Sequence, residues 1–383
     1  MSSSRKYGLW ILAVLALVAQ WIFFHHLGHE FGPGLTALLS GLGILAAAFL
    51  ISWAAELAEL EVPPTVAFIL LALLTVLPEY AVDIYLAWQA GKDPAYTHFA
   101  LANMTGANRL LIGLGWSSII IVYWWRTRKR EIELEPVHRV EVYILLTATL
   151  YSFVLFFKRT LSWVDAMVLI PIFVVYLVLA LRGEVKEPEL EGPPALISRW
   201  PTGWRRTVNV LFFALAGYTI YIAAEPFAES LIASGRALEV EEFLLVQWLA
   251  PLASEAPEFL VAVLFAWRKK AGSGFHTMLS SKINQWTLLV GMVPLAFSLS
   301  QGRLGALHLD PRQTEEIFLT SAQSLFATLI LLNLRFSLAE GLLLLILFAT
   351  QLMFPSSTIR YAYAIAYLVL AAGVLIRFLR KRP

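Results

Sequence analysis

Two proline–glutamate pairs stand inside otherwise apolar segments, Pro78-Glu79 in the first half of the chain and Pro257-Glu258 in the second. In a helix, proline removes one backbone donor and so frees a carbonyl oxygen one turn earlier. A carboxylate beside a freed carbonyl is a set of oxygen ligands that suits a hard cation such as Ca²⁺ or Na⁺. The two pairs therefore predict a cation-binding site.

Further oxygen ligands surround each pair. Asp83 follows Glu79 by four residues and Glu255 precedes Glu258 by three, so each couple shares one helix face. Hydroxyl and amide groups one turn away, or in the next apolar segment, could complete the ligand set. They are Thr75, Ser254, Asn103, Asn108 and Asn284. We interpret all of these side chains as candidate ion ligands.

Two basic residues, Arg109 and Lys282, also fall within apolar segments. A charge at the bilayer centre costs about 3 kcal/mol even on lenient scales. One interpretation is structural, with salt bridges such as Arg109 to Glu79 or Lys282 to Glu255 packing helices together. We favour a functional interpretation, in which Arg109 and Lys282 tune the charge of the ion site.

Composition places the chain in a membrane. Of its 383 residues, 59% are hydrophobic and only 15% charged, whereas soluble domains average roughly 45–50% and about 25%. A net charge of +2 does not favour a nucleic-acid partner, and the absence of cysteine excludes disulfides and thiolate chemistry. No nucleotide-binding or zinc-protease motif occurs. The sequence therefore predicts a protein that is not an enzyme and uses neither a cofactor nor a nucleotide.

Twelve apolar stretches approach or reach the roughly 20 residues that a membrane helix needs. They are 7–24, 31–55, 63–89, 97–124, 138–157, 161–182, 207–224, 240–268, 274–299, 317–334, 341–359 and 358–380. With the N-terminus in the cytoplasm, 20 of the 29 basic residues fall on the cytoplasmic side and 7 in the opposite loops. This bias agrees with the positive-inside rule. The prediction is an all-α polytopic protein of the cell (inner or plasma) membrane with both termini cytoplasmic.

The two halves of the chain resemble each other. Trp88 follows Glu79 by nine positions, and Trp267 follows Glu258 by nine positions. The two spans concerned are five places apart and so cross the membrane in opposite directions, a pattern typical of secondary transporters. The predicted divisions are an extra N-terminal transmembrane helix at 1–34, a first repeat half at 35–182, a cytoplasmic linker at 183–206, a second repeat half at 207–354, and an extra C-terminal helix at 355–383.

At these residues the sequence resembles the sodium/calcium exchanger (cation/Ca²⁺ antiporter) superfamily, as a divergent member of prokaryotic type. The family carries a Thr-Ser-Leu-Pro-Glu segment followed by a Gly-Asn-x-x-Gly-Ser-Asn segment in each repeat. The corresponding residues are Thr-Val-Leu-Pro-Glu at 75–79, Ala-Asn-Met-Thr-Gly-Ala-Asn at 102–108, Ser-Glu-Ala-Pro-Glu at 254–258 and Leu-Ser-Ser-Lys-Ile-Asn at 279–284. The resemblance covers 35–354 and implies an inverted repeat of five plus five helices, with one additional helix at each end.

The resemblance implies a secondary antiporter that exchanges Ca²⁺ against Na⁺ or H⁺ by alternating access. Its partners would be inorganic cations and the lipid bilayer. Glu79 and Glu258 would be the central metal ligands. The side chains that would join them are Thr75, Ser254, Asn103 and Asn108.

Two departures from the family pattern leave alternatives open. Val76 and Glu255 replace a serine that is expected to help bind Na⁺, and Arg109 and Lys282 add fixed positive charge. The protein could instead be a Na⁺/H⁺ or other monovalent-cation exchanger in which Arg109 and Lys282 act as fixed cations. It could also be a non-transporting sensor or partner subunit. An intramembrane enzyme has the weakest support.

Three histidines, His25, His26 and His29, cluster at the outer end of the first span. His25 and His29 share a helix face, so a metal site is conceivable there. A polar cap at the membrane interface is the favoured interpretation.

Overall fold

The computed structural model describes residues 3–29, 31–61, 76–181, 190, 192–354 and 356–380, and these residues are almost entirely helical. The helices are α1 Ser3–His26, α2 Pro33–Ala58, α3 Leu77–Lys92, α4 Ala102–Leu110, α5 Ser117–Thr127, α6 Arg139–Lys158, α7 Trp163–Ala180, α8 Pro193–Ile197, α9 Thr202–Ala237, α10 Glu242–Trp267, α11 Ala271–Asn284, α12 Val290–Gln301, α13 Pro311–Ile330, α14 Leu338–Leu352 and α15 Ser357–Arg380. The strands are β1 Glu131–Glu133, β2 Thr160–Ser162, β3 Ala306–His308 and β4 Arg335–Ser337.

Within the described ranges, ten helical segments are long and apolar enough to cross a membrane, and each corresponds to a predicted span. Two of these are continuous because single π-helical segments join α4 to α5 at Leu111–Trp116 and α11 to α12 at Gln285–Leu289. The predicted span at 341–359 appears as the shorter apolar helix α14. The predicted span at 63–89 lies in part outside the described residues. The all-α polytopic class is confirmed, and the count of twelve spans stays a prediction.

Contacts group the chain into two compact units, each of which draws on both halves of the sequence. Unit 1 consists of Met1–Tyr85 and Leu181–Pro257. Its central feature is α2 packed along α9, with α1 against both. A Cβ added at Gly41 of α2 would lie 2.8 Å from the Phe227 ring of α9, so the absence of a side chain permits this close approach. Small residues commonly serve this purpose between membrane helices, where packing replaces the hydrophobic effect.

An ion-pair cluster fastens one end of this helix pair. Arg206 donates from Nε to Glu61 Oε2 at 2.6 Å, and Arg205 donates from Nε to Glu61 Oε1 at 2.7 Å. The hydrogen bonds from Arg206 and Arg205 hold the pKa of the Glu61 carboxyl below its usual range. The end of α2 is therefore tied to the start of α9 by charge as well as by apolar packing.

Unit 2 consists of Leu86–Ala180 and Glu258–Pro383. Two antiparallel ribbons link its halves, β1 with β4 and β2 with β3. Because β1 follows α5 just as β3 follows α12, and β2 precedes α7 just as β4 precedes α14, the ribbons are equivalent under exchange of the halves. The π-helical segments at Leu111–Trp116 and Gln285–Leu289 also correspond to each other under this exchange. This correspondence is the expected product of an internal repeat.

The predicted domain boundaries are not tested by these units and stay predictions. The predicted extra terminal helices correspond to α1, which packs on α2 and α9 in unit 1, and α15, which packs along α13 in unit 2.

Candidate ion-binding site

The first part of α3, which belongs to unit 1, carries Glu79 and Asp83. Glu79 lies in the first turn of α3 with 1% of its surface exposed, and Asp83, one turn later, is fully buried. A carboxylate in the first turn of a helix is stabilised by the positive end of the helix dipole. Tyr85, on the same helix, donates a hydrogen bond at 2.7 Å to Glu229 of α9. The predicted ligand Thr75 lies outside the described residues.

Unit 1 also contains the first part of α10, where Ser254 and Glu255 are buried. The Ser254 hydroxyl donates at 3.2 Å to the carbonyl of Ala250, one turn earlier. Its oxygen keeps lone pairs for a further contact, because a hydroxyl has two acceptor sites beside its one donor. Pro257 lies inside the helix, so the carbonyl of Ala253 has no amide partner at that position. The predicted combination of carboxylate, hydroxyl and freed carbonyl is therefore present on α10.

In unit 2, the carboxylate of Glu258 meets a neutral donor. Ser281 of α11 donates from Oγ to Glu258 Oε2 at 2.8 Å. Among the residues that the structure describes, no basic side chain forms an ion pair with Glu258. The carboxylate is therefore held in place without being neutralised.

The two asparagine side chains of α4, Asn103 and Asn108, differ in their hydrogen bonds. Asn103 is buried, and its Oδ1 has no hydrogen-bond partner within the described residues. Asn108 donates from Nδ2 to the carbonyl of Met104 at 2.8 Å, which leaves its Oδ1 as an acceptor. That acceptor is occupied by Lys282 Nζ at 2.6 Å, and the backbone oxygen of Asn108 lies 3.2 Å from the same ammonium.

Lys282 is completely buried on α11, and its ammonium also lies 4.6 Å from the ring centroid of Trp286. The ammonium of Lys282 therefore contacts Asn108 Oδ1, which is one of the predicted ion ligands. Asn284, also predicted as a ligand, is buried at the last position of α11.

Arg109 has an anionic partner that the sequence analysis did not identify. Its Nη2 lies 2.8 Å from Glu316 Oε2 of α13, and its Nη1 donates to Gln351 Oε1 of α14 at 3.0 Å. Glu316 also pairs with Arg312 at 3.3 Å. The charge of Arg109 is therefore compensated inside unit 2.

A neighbouring pair extends this buried network to the C-terminal helix. Arg360 of α15 donates from Nε to Glu315 Oε2 at 2.8 Å and lies 3.9 Å from Glu316 Oε1. The adjacent acids at 315 and 316, at the head of an apolar stretch, were the available sequence signal for this network.

We expect Glu316→Gln to reduce stability more than Arg109→Gln. Loss of Glu316 leaves Arg109 and Arg312 buried beside a neutral amide, whereas loss of Arg109 leaves Glu316 still paired with Arg312. Breaking a buried pair costs about 3–5 kcal/mol, so the first variant should show a cost of this order and the second a smaller one. The measurement is the thermal unfolding midpoint of purified protein in detergent.

The matched control is Arg335→Gln, because the ion pairs of Arg335 with Glu131 and Glu133 are exposed. Exposed pairs contribute only about 0–1 kcal/mol. Equal losses for Glu316→Gln and Arg335→Gln would contradict the proposed importance of the buried network.

Taken together, these observations describe a polytopic helical protein with an internal repeat, in which buried carboxylates, hydroxyls and amides lie on paired proline-containing helices and their neighbours. This combination of an inverted repeat with buried ionisable groups is typical of secondary transporters for cations.

The particular family follows from comparison with known proteins. The profile of the sodium/calcium exchanger protein family matches residues 31–182 and 208–356, and the chain belongs to that family. No curated protein gave a match. The sequence-based resemblance is thereby confirmed, and the chain is a multi-pass cation/Ca²⁺ antiporter of the secondary-transporter type.

Solved structures agree with this assignment. The crystal structure of the H⁺/Ca²⁺ exchanger CAX is 43% identical, with a TM-score of 0.93 over 98% of this chain and 95% of that one. Native YfkE is 15% identical, with a TM-score of 0.63 over 94% and 99%. The sodium-calcium exchanger NCX_Mj, soaked with Na⁺ and Sr²⁺, is 18% identical, with a TM-score of 0.55 over 84% and 98%. The last two similarities establish the fold alone.

Proposed function

We propose that this protein exchanges Ca²⁺ against H⁺ across the cell membrane by alternating access. The observation that carries the proposal is the 43% identity to an H⁺/Ca²⁺ exchanger over 98% of the chain. Glu79 and Glu258 supply the principal carboxylate oxygens, and no cofactor or nucleotide is required. The termini lie in the cytoplasm, in keeping with the 20-to-7 distribution of basic residues.

The surroundings of Glu258 support the proton as the coupling ion. A hydroxyl can donate to a carboxylate and can accept from a carboxylic acid, so Ser281 tolerates both protonation states of Glu258. A lysine or arginine partner would instead hold the carboxylate ionised. Glu258 can therefore carry either a proton or a share of a metal ion, which is the exclusive choice that antiport requires.

The residue at position 76 argues against Na⁺ as the coupling ion. Val76 is buried and occupies a position at which the family carries a serine. A valine offers no oxygen to a hard monovalent cation. Ca²⁺ can still be bound, because the carboxylates and amides supply the oxygen ligands that this ion prefers.

We expect a pH gradient to drive Ca²⁺ flux in proteoliposomes and a Na⁺ gradient of equal size to drive at least about tenfold less. The physical reason is that the proposed site provides a titratable carboxylate for H⁺ but lacks the serine oxygen for Na⁺. The measurement is ⁴⁵Ca²⁺ uptake under each gradient, with collapse of the pH gradient by a protonophore and empty liposomes as controls. Equal flux under the two gradients would contradict proton coupling while leaving Ca²⁺ antiport intact.

A further inference from the structure

A second cluster of ligand side chains lies elsewhere in unit 2, where the start of α6 packs against α11. His138 Nδ1 lies 3.0 Å from Glu141 Oε2, and His276 Nδ1 lies 3.0 Å from Glu141 Oε1. One ligand atom from each of the three residues lies within 4.8 Å of the others. None of these residues is among the candidate ion ligands described above.

The spacing of these atoms fits a tetrahedral metal ion. Zn²⁺ binds imidazole nitrogen at about 2.0–2.1 Å and carboxylate oxygen at about 2.0–2.2 Å, so two ligands of one ion lie about 3.3 Å apart. Each imidazole nitrogen lies 3.0 Å from the Glu141 carboxylate, His138 Nδ1 from Oε2 and His276 Nδ1 from Oε1. One atom from each residue already lies within 4.8 Å of the others, and the imidazole centroids are 4.7 Å apart. Small rotations of the three side chains therefore bring one ligand atom from each to the required spacing.

The cluster is built into the protein rather than lying loosely on its surface. The side chain of Glu141 is 7% exposed and that of His138 is 14% exposed. Tyr176 of α7 is buried beside Glu141 and donates a hydrogen bond at 2.9 Å to Ser280 of α11. Such outer partners orient metal ligands and contribute to affinity. His276 is 39% exposed, which provides a path by which an ion can enter.

We propose that His138, Glu141 and His276 form a binding site for a transition-metal ion of the Zn²⁺ type, with water as the fourth ligand. Two imidazoles and one carboxylate favour such an ion over Ca²⁺, which prefers oxygen ligands only. The site is therefore chemically distinct from the proposed transport site and does not depend on it. His138 and Glu141 lie at the start of α6 and His276 lies on α11. A bound ion would therefore join these two helices.

The experiment uses the full-length protein in detergent, with any affinity tag removed and metals stripped by a chelator. His25, His26 and His29 are first replaced by asparagine, because they offer a competing cluster in unit 1. Equilibrium dialysis against Zn²⁺ is expected to give one ion per chain, and Co²⁺ should produce the visible absorption of a tetrahedral site. A hundredfold excess of Ca²⁺ should not displace the bound Co²⁺.

Two variants and one control locate the site. His276→Asn and Glu141→Gln should each weaken Zn²⁺ binding by at least about tenfold, and each should abolish the rise in unfolding temperature that Zn²⁺ causes. His308→Asn, on strand β3, should bind as the parent does. If the protein with only the three N-terminal histidines replaced does not bind Zn²⁺ stoichiometrically, the proposal is overturned, whether or not the other variants fold. Undiminished Zn²⁺ binding by both His276→Asn and Glu141→Gln would also overturn it. Neither result bears on Ca²⁺ antiport.

Discussion

Proteoliposomes that contain Glu258→Gln are expected to show no Ca²⁺ flux above background, and Glu79→Gln should have the same effect. Each change keeps the size of the side chain and removes both the negative charge and the proton-binding oxygen. Ser281 can still donate to the glutamine carbonyl, so the local fold is preserved. A loss of at least about 100-fold corresponds to only about 2.7 kcal/mol, which is modest for the removal of one unit charge from a divalent-ion site.

Two further variants make this test specific. Glu131→Gln removes an exposed carboxylate on β1 and should transport at the normal rate. Glu258→Asp keeps the charge and shortens the side chain by one methylene group, so reduced but measurable flux is expected. Normal transport by both Glu79→Gln and Glu258→Gln, with unfolding temperatures unchanged, would show that the assignment of the ion ligands is wrong.

The sequence predicted the parts of this protein that depend on local chemistry. Apolar length alone located ten of the helical spans, because a chain in lipid must satisfy its backbone groups within each helix. The Pro-Glu pairs marked the site for a related reason, since an isolated charge in an apolar span is too costly to retain without a function. Glu79, Asp83 and Glu255 are buried as that argument requires, whereas Glu258 is partly exposed.

Features that depend on long-range contacts were not predictable in the same way. No local pattern connects Arg109 with Glu316, 207 residues later, and the salt bridge suggested from sequence paired Arg109 with Glu79 instead. The ribbon strands have three residues each, which is too short for an alternating pattern to emerge. The same holds for Arg360, which is 6% exposed because it forms an ion pair with Glu315, 45 residues earlier.

The cluster of His138, Glu141 and His276 illustrates the same limit. The spacing of His138 and Glu141 at the start of α6 is a local signal for two ligands on one helix face. Nothing in the neighbourhood of either residue indicates His276, which the packing of α6 against α11 supplies. A third ligand of this kind becomes visible only in the folded chain.

Replacing Lys282 by methionine is expected to change the ion selectivity of transport. In the folded protein, the ammonium of Lys282 occupies the Oδ1 atom of Asn108, an oxygen proposed to serve the ion. Arg109 contacts Glu316 and Gln351, which are not candidate ion ligands, whereas Lys282 contacts one of the candidate ligands directly. Lys282 is therefore the basic residue whose removal should affect the ion site more. Even a unit charge held as far as about 10 Å from the ion would contribute about 1.7 kcal/mol at an effective dielectric constant of about 20, which is more than tenfold in affinity.

Lys282→Met should therefore lower the Ca²⁺ concentration for half-maximal uptake by roughly tenfold and increase the small flux that a Na⁺ gradient drives in the unmodified protein. The matched control is Lys92→Met, which removes an exposed cation at the end of α3 and should alter neither quantity. Unchanged selectivity together with a lower unfolding temperature would make Lys282 a packing residue that fastens α11 to α4.

A third outcome would change the proposed function itself. If the parent protein carries no flux under any cation gradient while Lys282→Met does, the ammonium acts as a tethered substitute for the transported ion. The alternative of a non-transporting sensor or partner subunit would then replace the antiporter. The contacts of Lys282 with Asn108 thus separate the two functions, because an ammonium bound to Asn108 Oδ1 competes with a mobile cation for that oxygen.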